Sequence, residues 1–458
     1  MRGHPSTEQI RRFLDVQEAR RSEWTALHLL ECESCRATAL RELEESGGQA
    51  ELLAKVLRHP AARGPLEGVE PPAGLEPPAA ADERLLTRLS TAIEEVNACG
   101  DLLAELRRHP VQRWRLLFDN SDRYRSLALA RELIDIGHRE AFDDPGRGAA
   151  MVELVVDLVD HLDSALYGDR LLDDVRARGW AMIGDCYRMA GDLRAADSAF
   201  RRSARLIEDS PDTEELATHL YLLGVLRKDQ RRSDDAIRCY NRARRLSEEI
   251  GDSEKVARIL TSLGNLQLQR SQPEEALSFL LDAQALLDDR SDSRLALFVR
   301  VNLANCLVEL GDYPGARALF EPSREQYSKA PDSYVRLRTR WLEGRIAIGL
   351  GEEEQGERTL VEVRAEYLER GLHYDVALVS LNLAALYARQ GRMAELKVLA
   401  EEMTAIFLAQ EIPAEVMAAL AFLRQAVEQD RATEELVGGV ARFLQRAQSD
   451  PSVRFRRR

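Results

Sequence analysis

The sequence predicts an all-α chain: a small helical domain, a proline-rich linker, and a right-handed superhelical solenoid of antiparallel helix pairs. Three observations carry this reading. Six similar segments begin 40 residues apart, at positions 180, 220, 260, 300, 340 and 380. Each has a small residue at its fifth place, and five of the six have another twelve residues on. The composition, 31% charged and 6% aromatic with abundant Ala, Leu, Glu and Arg, favours helix throughout. At 458 residues the chain exceeds one simple core, so several domains or a repeat array are expected.

The formal net charge of -14 opposes non-specific attraction to nucleic acid, because like charges repel phosphates. Residues 1–30 are polar and charged where a signal peptide would be apolar. No stretch reaches the roughly 18 apolar residues of a membrane span. These features are read as a soluble, cytoplasmic protein with neither nucleic acid nor membrane as partner. Six cysteines in this length do not make a disulfide framework.

Residues 1–46 form the first region. HLLECESC (28–35) places His28, Cys32 and Cys35 at H-x3-C-x2-C spacing. His28 and Cys32 lie one helical turn apart, and Cys35 follows at i+3 on the same face. Tetrahedral zinc with Cys and His ligands suits such spacing, with Zn–S distances of about 2.3 Å. A closed site needs a fourth ligand, and His4, just before a helix capped by Ser6 or Thr7, is the candidate. Three readings remain open: a helix with two unpaired thiols, a structural zinc staple, or a redox-labile zinc. HPSTEQIRRFLD...ALHLLECESC resembles the zinc-finger domain of anti-sigma factors (ZAS type) over about 40 residues. The resemblance implies one Zn²⁺ held by His4, His28, Cys32 and Cys35, and a sigma factor as docking partner. The acidic, Gly-rich turn usual in that family reads DVQEARRSE here, and no transmembrane helix follows.

Residues 47–82 are the linker. Six of the sixteen prolines fall in it, so EPPAGLEPPAAADE should be extended and semi-rigid. Residues 83–168 read as further helices with decayed repeat motifs, and MVELVVDLVDHL (151–162) as buried capping helix.

Residues 169–410 hold the array. The small places are Gly184, Gly224, Gly264, Ala304, Gly344 and Ala384, then Ala196, Ala236, Ala276, Ala316 and Gly356, with Leu396 in the sixth pair. Small residues on two antiparallel helices let their axes approach, and Trp180, Tyr187, Phe200, Tyr240 and Phe320 flank the contact. Each pair alone leaves an apolar face, which stacking covers. WAMIGDCY...AADSAFRRSA resembles the tetratricopeptide repeat, W-x2-L-G-x2-Y followed by A-x3-F-x2-A. The 40-residue period is similar to the longer-helix form found in peptide-sensing bacterial regulators and in scaffold proteins. Cys186 and Cys306, both two places after a small residue, and Cys239 read as small buried apolar residues.

The first helix of each pair should line a groove. Counted from the small residue, the groove places hold Arg178, Asp185 and Arg188, then Tyr221 and Lys228, then Arg258, Thr261 and Asn265. Phe298 and Asn305, then Arg338, Trp341 and Arg345, continue the series. Asn265 and Asn305 recur at one place, and a carboxamide both donates and accepts, as an extended peptide backbone requires. Arginines suit carboxylates, and Trp341 offers an aromatic anchor. The candidate groove is therefore Tyr221, Arg258, Asn265, Asn305, Arg338, Trp341 and Arg345. The bland alternative is that they solvate the inner face, with Trp341 packing on its neighbours.

Residues 411–458 should cap the array, with Pro413 opening a helix and RFRRR a solvated end. EEEQ (352–355) reads as a solvated charge run in a turn. No phosphate loop, nucleophile elbow or H-E-x-x-H motif occurs. The functional expectation is a non-enzymatic adaptor or regulator: the groove takes a protein or extended peptide, and the zinc domain docks a second, sigma-factor-like partner. The alternative is a structural scaffold in which zinc only staples the N-terminal domain.

Overall fold

The computed structural model describes residue 91, residues 94 and 95, and residues 98–455 apart from 209–211, 288–293, 330–332, 409–413 and 450–452. His4, His28, Cys32, Cys35, the proline-rich linker and Pro413 lie outside the described residues. Every regular element among the described residues is helical. Two compact units are present: one runs to Leu226 and includes Asn241–Asp252, and the other holds Arg227–Tyr240 and the chain from Ser253.

In the first unit, helical residues 98–106 (α1) precede α2 (Trp114–Asn120), α3 (Leu127–Glu140), α4 (Pro145–Val159) and α5 (Ser164–Tyr167). Then come α6 (Asp169–Met189), α7 (Leu193–Ile207) and α8 (Thr213–Asp229), the last belonging here as far as Leu226. Side-chain oxygens stop several helices from beginning with orphan amides. Ser126 accepts from the Leu129 amide at α3, Asp144 from Arg147 at α4, and Asp192 from Ala195 at α7. Pro145, whose φ is already helical and whose missing N–H costs nothing there, opens α4. Met151, Val152, Val155, Val156, Leu158 and Val159 of α4 are buried, as the apolar run 151–162 predicts. The close approach of α6 and α7 has its cause at Gly184: a Cβ there would stand 2.7 Å from the Phe200 ring. Phe200 fills that space and is itself buried.

The second unit continues the pairs. It contains the first half of α9 (Ser233–Glu249), then α10 (Ser253–Gln269) with α11 (Pro273–Ala285), and α12 (Arg294–Glu309) with α13 (Tyr313–Phe320). Pro322 breaks the outer helix of that fourth pair into a 3-10 turn, Glu321–Ser323, before α14 (Arg324–Ser328). Next are α15 (Ser333–Gly349) with α16 (Glu353–Glu369), α17 (His373–Gln390) with α18 (Met393–Leu408), α19 (Ala414–Glu428) and α20 (Glu434–Ser449). Helices α10, α12, α15 and α17 form an inner row, each packing on the next. The close contact repeats here: a Cβ on Gly264 would lie 2.8 Å from Leu280, and one on Gly344 2.8 Å from Leu360. Cys306 is fully buried, as is Cys186 in the first unit, whereas Cys239 is only half-buried.

The run Glu352–Gln355 is largely exposed, as expected, but it is not merely a turn: it leads into and opens α16 and is tied to neighbouring pairs. Glu352 pairs with Arg317, and Glu353 accepts from Arg389 at 2.7 Å and Gln390 at 2.6 Å. Acidic groups are favoured at that end of a helix, where the orphan amides lie.

The turn inside each pair needs a left-handed residue seven places after the small one. Gly191, Gly311, Gly351 and Gly391 supply it, with φ between 69° and 82° for three and 85° at Gly351. Arg231 (φ 60°) and Ser271 (φ 59°) stand at the same place in the second and third pairs. Left-handed strain of roughly 1–2 kcal/mol at a residue with a Cβ exceeds the roughly 0.5–1 kcal/mol of entropy glycine adds to the unfolded chain. The Ser271 hydroxyl is also buried without a hydrogen-bond partner in the structure. Ser271→Gly is therefore expected to stabilise the second unit by about 0.5–1 kcal/mol. A higher urea midpoint at unchanged m-value is the measurement that checks it.

Candidate functional site

The inner faces carry polar side chains in both units, and the two sets differ. In the first unit the charges are closed on one another. Arg178 of α6 donates to Glu215 of α8 at 2.9 and 3.1 Å, and to Asp135 of α3 at 2.7 Å. Arg131 of α3 reaches the same Glu215 at 3.4 Å. Burial lowers the Arg178 pKa, but Glu215 and Asp135 outweigh it and hold the guanidinium charged above its ordinary range. One turn or two further along, Asp185 is bonded to His138 at 2.8 Å and to Arg188 at 2.6 Å. Burial raises the Asp185 carboxyl, and these two partners more than offset that, leaving it below the usual carboxylate value. At the start of α8, Asp212 accepts from the Glu214 and Glu215 amides, both at 3.0 Å. Burial and the neighbouring Glu215 carboxylate push its own carboxyl up to about 7. This face is a set of ion pairs that fixes α3, α6 and α8 in register.

A serine and a histidine also meet in this unit. Ser203 Oγ lies 2.7 Å from the Ala177 carbonyl and 2.8 Å from His219 Nδ1. The carbonyl can only accept, so the hydroxyl donates to it and the imidazole N–H donates to Oγ. The hydroxyl proton is thus directed away from the imidazole, and both side chains are buried. The pair braces α6, α7 and α8 rather than activating a nucleophile.

In the second unit the inner row presents more accessible groups. Arg345 of α15 donates to Asn305 Oδ1 of α12 at 2.9 Å and to Glu309 at 2.7 Å. Its Trp341 neighbour donates its indole N–H to Asn382 of α17 at 2.6 Å, and its ring meets Tyr367 edge-on at 6.5 Å. Arg258 is exposed and pairs with Glu254 one turn earlier at 3.1 Å. Asn265 is half-buried, Arg338 is exposed, and Phe298 is 44% exposed.

The sequence-derived groove therefore divides. Tyr221 belongs to the first unit, half-buried against its apolar cluster. The other six belong to the second, where Asn305 and Arg345 are bonded directly and Trp341 is tied to the next inner helix. Sequence reasoning missed Glu309 and Asn382. The signal for Glu309 was present: it follows Asn305 by one helical turn on the same face. It also missed Asp135, His138 and Glu215, which lie outside the places counted from the repeat motif.

Among the described residues no group of three or more His, Cys, Asp or Glu is placed to hold a metal ion. No helix among them is long and apolar enough to cross a membrane.

The chain is similar in structure to the Rap conjugation gene regulator of plasmid pLS20 in complex with the Phr* peptide: 13% identity, 93% of this chain and 98% of that one covered, TM-score 0.47. It is also similar to aspartyl phosphate phosphatase F from Bacillus subtilis, at 13% identity over 89% of this chain and 96% of that one, TM-score 0.48. A Rap protein complexed with competence and sporulation factor shares 11% identity over 70% of this chain and 95% of its own, TM-score 0.48. No curated protein matches the chain. The family described as Tetratricopeptide repeat matches residues 175–249 and 215–289. That match, together with the helix pairs and their small-residue contacts, identifies the repeats over residues 175–289 as tetratricopeptide repeats.

Proposed function

We propose that this chain is a non-enzymatic adaptor or regulator whose second unit binds an extended segment of a protein partner along α10, α12 and α15. The observation that carries this is the Arg345–Asn305–Glu309 linkage across adjacent inner helices. With Oδ1 engaged by Arg345, the Asn305 amide nitrogen is committed as a donor toward a peptide carbonyl. The ion pair with Glu309 holds the guanidinium in place, so little side-chain entropy is lost on binding. Exposed Arg338 and Arg258 favour carboxylates on the ligand. Trp341, its N–H already satisfied, offers a ring face to an apolar side chain.

The test is selection of a random twelve-residue peptide library, displayed on phage, against the full chain. Acidic sequences should be enriched. Arg338→Ala and Arg345→Ala should each weaken the selected peptides by about tenfold or more, the scale of a charge-assisted bond at an interface. Arg424→Ala, exposed on α19 and paired with Glu428, is the control. Peptides indifferent to both groove arginines would overturn the reading.

The same reading gives residues 1–46 a second docking role, with one Zn²⁺ held by His4, His28, Cys32 and Cys35 and a sigma factor as partner. It is supported by the H-x3-C-x2-C spacing, and by the inability of so short a domain to build a core without a staple. Native mass spectrometry of the full chain should find one zinc, lost in Cys32→Ala and weakened in His4→Ala. Deleting residues 1–46 should abolish any effect on transcription while sparing peptide binding. Retention of that effect would favour the scaffold in which zinc only folds the N-terminus.

A further inference from the structure

Helix α20 does not sit where the repeat would place it. A seventh pair would set α20 against α19, as α16 lies against α15. It does touch α19, but its principal contact is α17, the inner helix of the sixth pair, and it also reaches α10, the inner helix of the third. The sixth pair is built for this. Six places before and one after its small residue it holds Leu378 and Ala385, where the third to fifth pairs carry Arg258, Phe298 and Arg338, then Asn265, Asn305 and Arg345. Leu378, Ala385 and Ala388 pack in one cluster with Val437, Val440 and Leu444 of α20. Tyr374 of α17 donates to the Leu444 carbonyl. Phe455 of the tail closes over Phe443 and Phe422, at ring distances of 5.1 and 5.5 Å.

Three features make this helix releasable. Gly438 and Gly439 lie in mid-helix, each weakening it relative to alanine. Packing does not demand them: a Cβ on Gly439 would meet nothing within 4 Å, and one on Gly438 only Arg442 at an ordinary 3.5 Å. The turn before α20 holds Asp430 at φ 53°, a left-handed residue with a Cβ.

We propose that α20 is a tethered occupant of the inner face of the second unit, an autoinhibitory helix that a protein partner must displace to reach that face. This deepens the peptide-groove reading and rests on it. The probe is a synthetic peptide of residues 431–455, so its outcome does not depend on whether acidic library peptides bind. Its binding to the full chain, to Val440→Asp and to Gly438→Ala/Gly439→Ala is followed by fluorescence anisotropy. Val440→Asp should undock α20, speed hydrogen exchange over residues 376–390, and bind the peptide at least about tenfold more tightly than the unaltered chain, whose site is filled in cis. The double alanine variant should bind it more weakly still. Should Val440→Asp fail to fold, a protease site inserted at residues 429–433 replaces it. The nicked helix should then remain bound and be competed off by excess peptide. Equal binding to all variants, or a nicked helix that leaves without opening α17 to exchange, would overturn the proposal.

Discussion

Arg178→Ala is expected to destabilise the first unit by about 3–5 kcal/mol, because it removes one partner from a buried ion cluster. The loss arises less from the bonds themselves than from the carboxylates left behind. Glu215 is only 4% exposed and would keep Arg131, at 3.4 Å, in place of the Arg178 Nη1 that now bonds both its oxygens. Asp135, more open, can recover water and moderates the effect. Arg178→Met with Glu215→Gln should restore part of the stability, since no uncompensated buried charge remains at that contact. Urea unfolding of both variants beside the unaltered chain decides the matter. A loss below about 1 kcal/mol for Arg178→Ala, the size of an exposed pair, would mean that water reaches the cluster.

The second large effect is on acidification. His219 is buried, stacked edge-on against Phe200 at 5.8 Å, and donates to Ser203. Burial, with Arg242 nearby, pushes its pKa down from 6.5 to about 4. The unfolded chain binds this proton first as pH falls, so the stabilisation is complete above pH 6.5 and is lost between there and about pH 4. The full effect is on the order of 3 kcal/mol. Asp212, raised to about 7, acts in the opposite direction over part of that range, being protonated in the folded state before the unfolded one. The expected observation is therefore a difference: stability relative to His219→Gln should fall steadily from pH 6.5 toward pH 4. A flat difference would show that the imidazole charges within the fold.

Much of this architecture was legible in the sequence, because one steric requirement repeats. Gly184, Gly264 and Gly344 each admit a large side chain from the paired helix, and the same residues mark the 40-residue period. The period also identifies Arg231 and Ser271 as left-handed residues, since glycine fills that place in the other four pairs. Asn305 and Arg345 stand at one place in adjacent pairs, so their meeting could be read from spacing. What spacing could not show is which helix a face packs on once the repeat decays. The stripe Val437, Val440, Leu444 announces an amphipathic helix, yet nothing local in it selects α17 over α19. Asp135 and His138 escaped for the same reason: α3 lies before the array, where no motif counts off the inward places.

The central claim, that the inner row of the second unit receives an extended peptide, is tested most directly by hydrogen exchange of the full chain with and without a library-selected peptide. The account predicts slower exchange over residues 294–309 and 335–349, centred on Asn305, Trp341 and Arg345. Protection confined to the outer helices or to the first unit, with those two stretches unchanged, would contradict it.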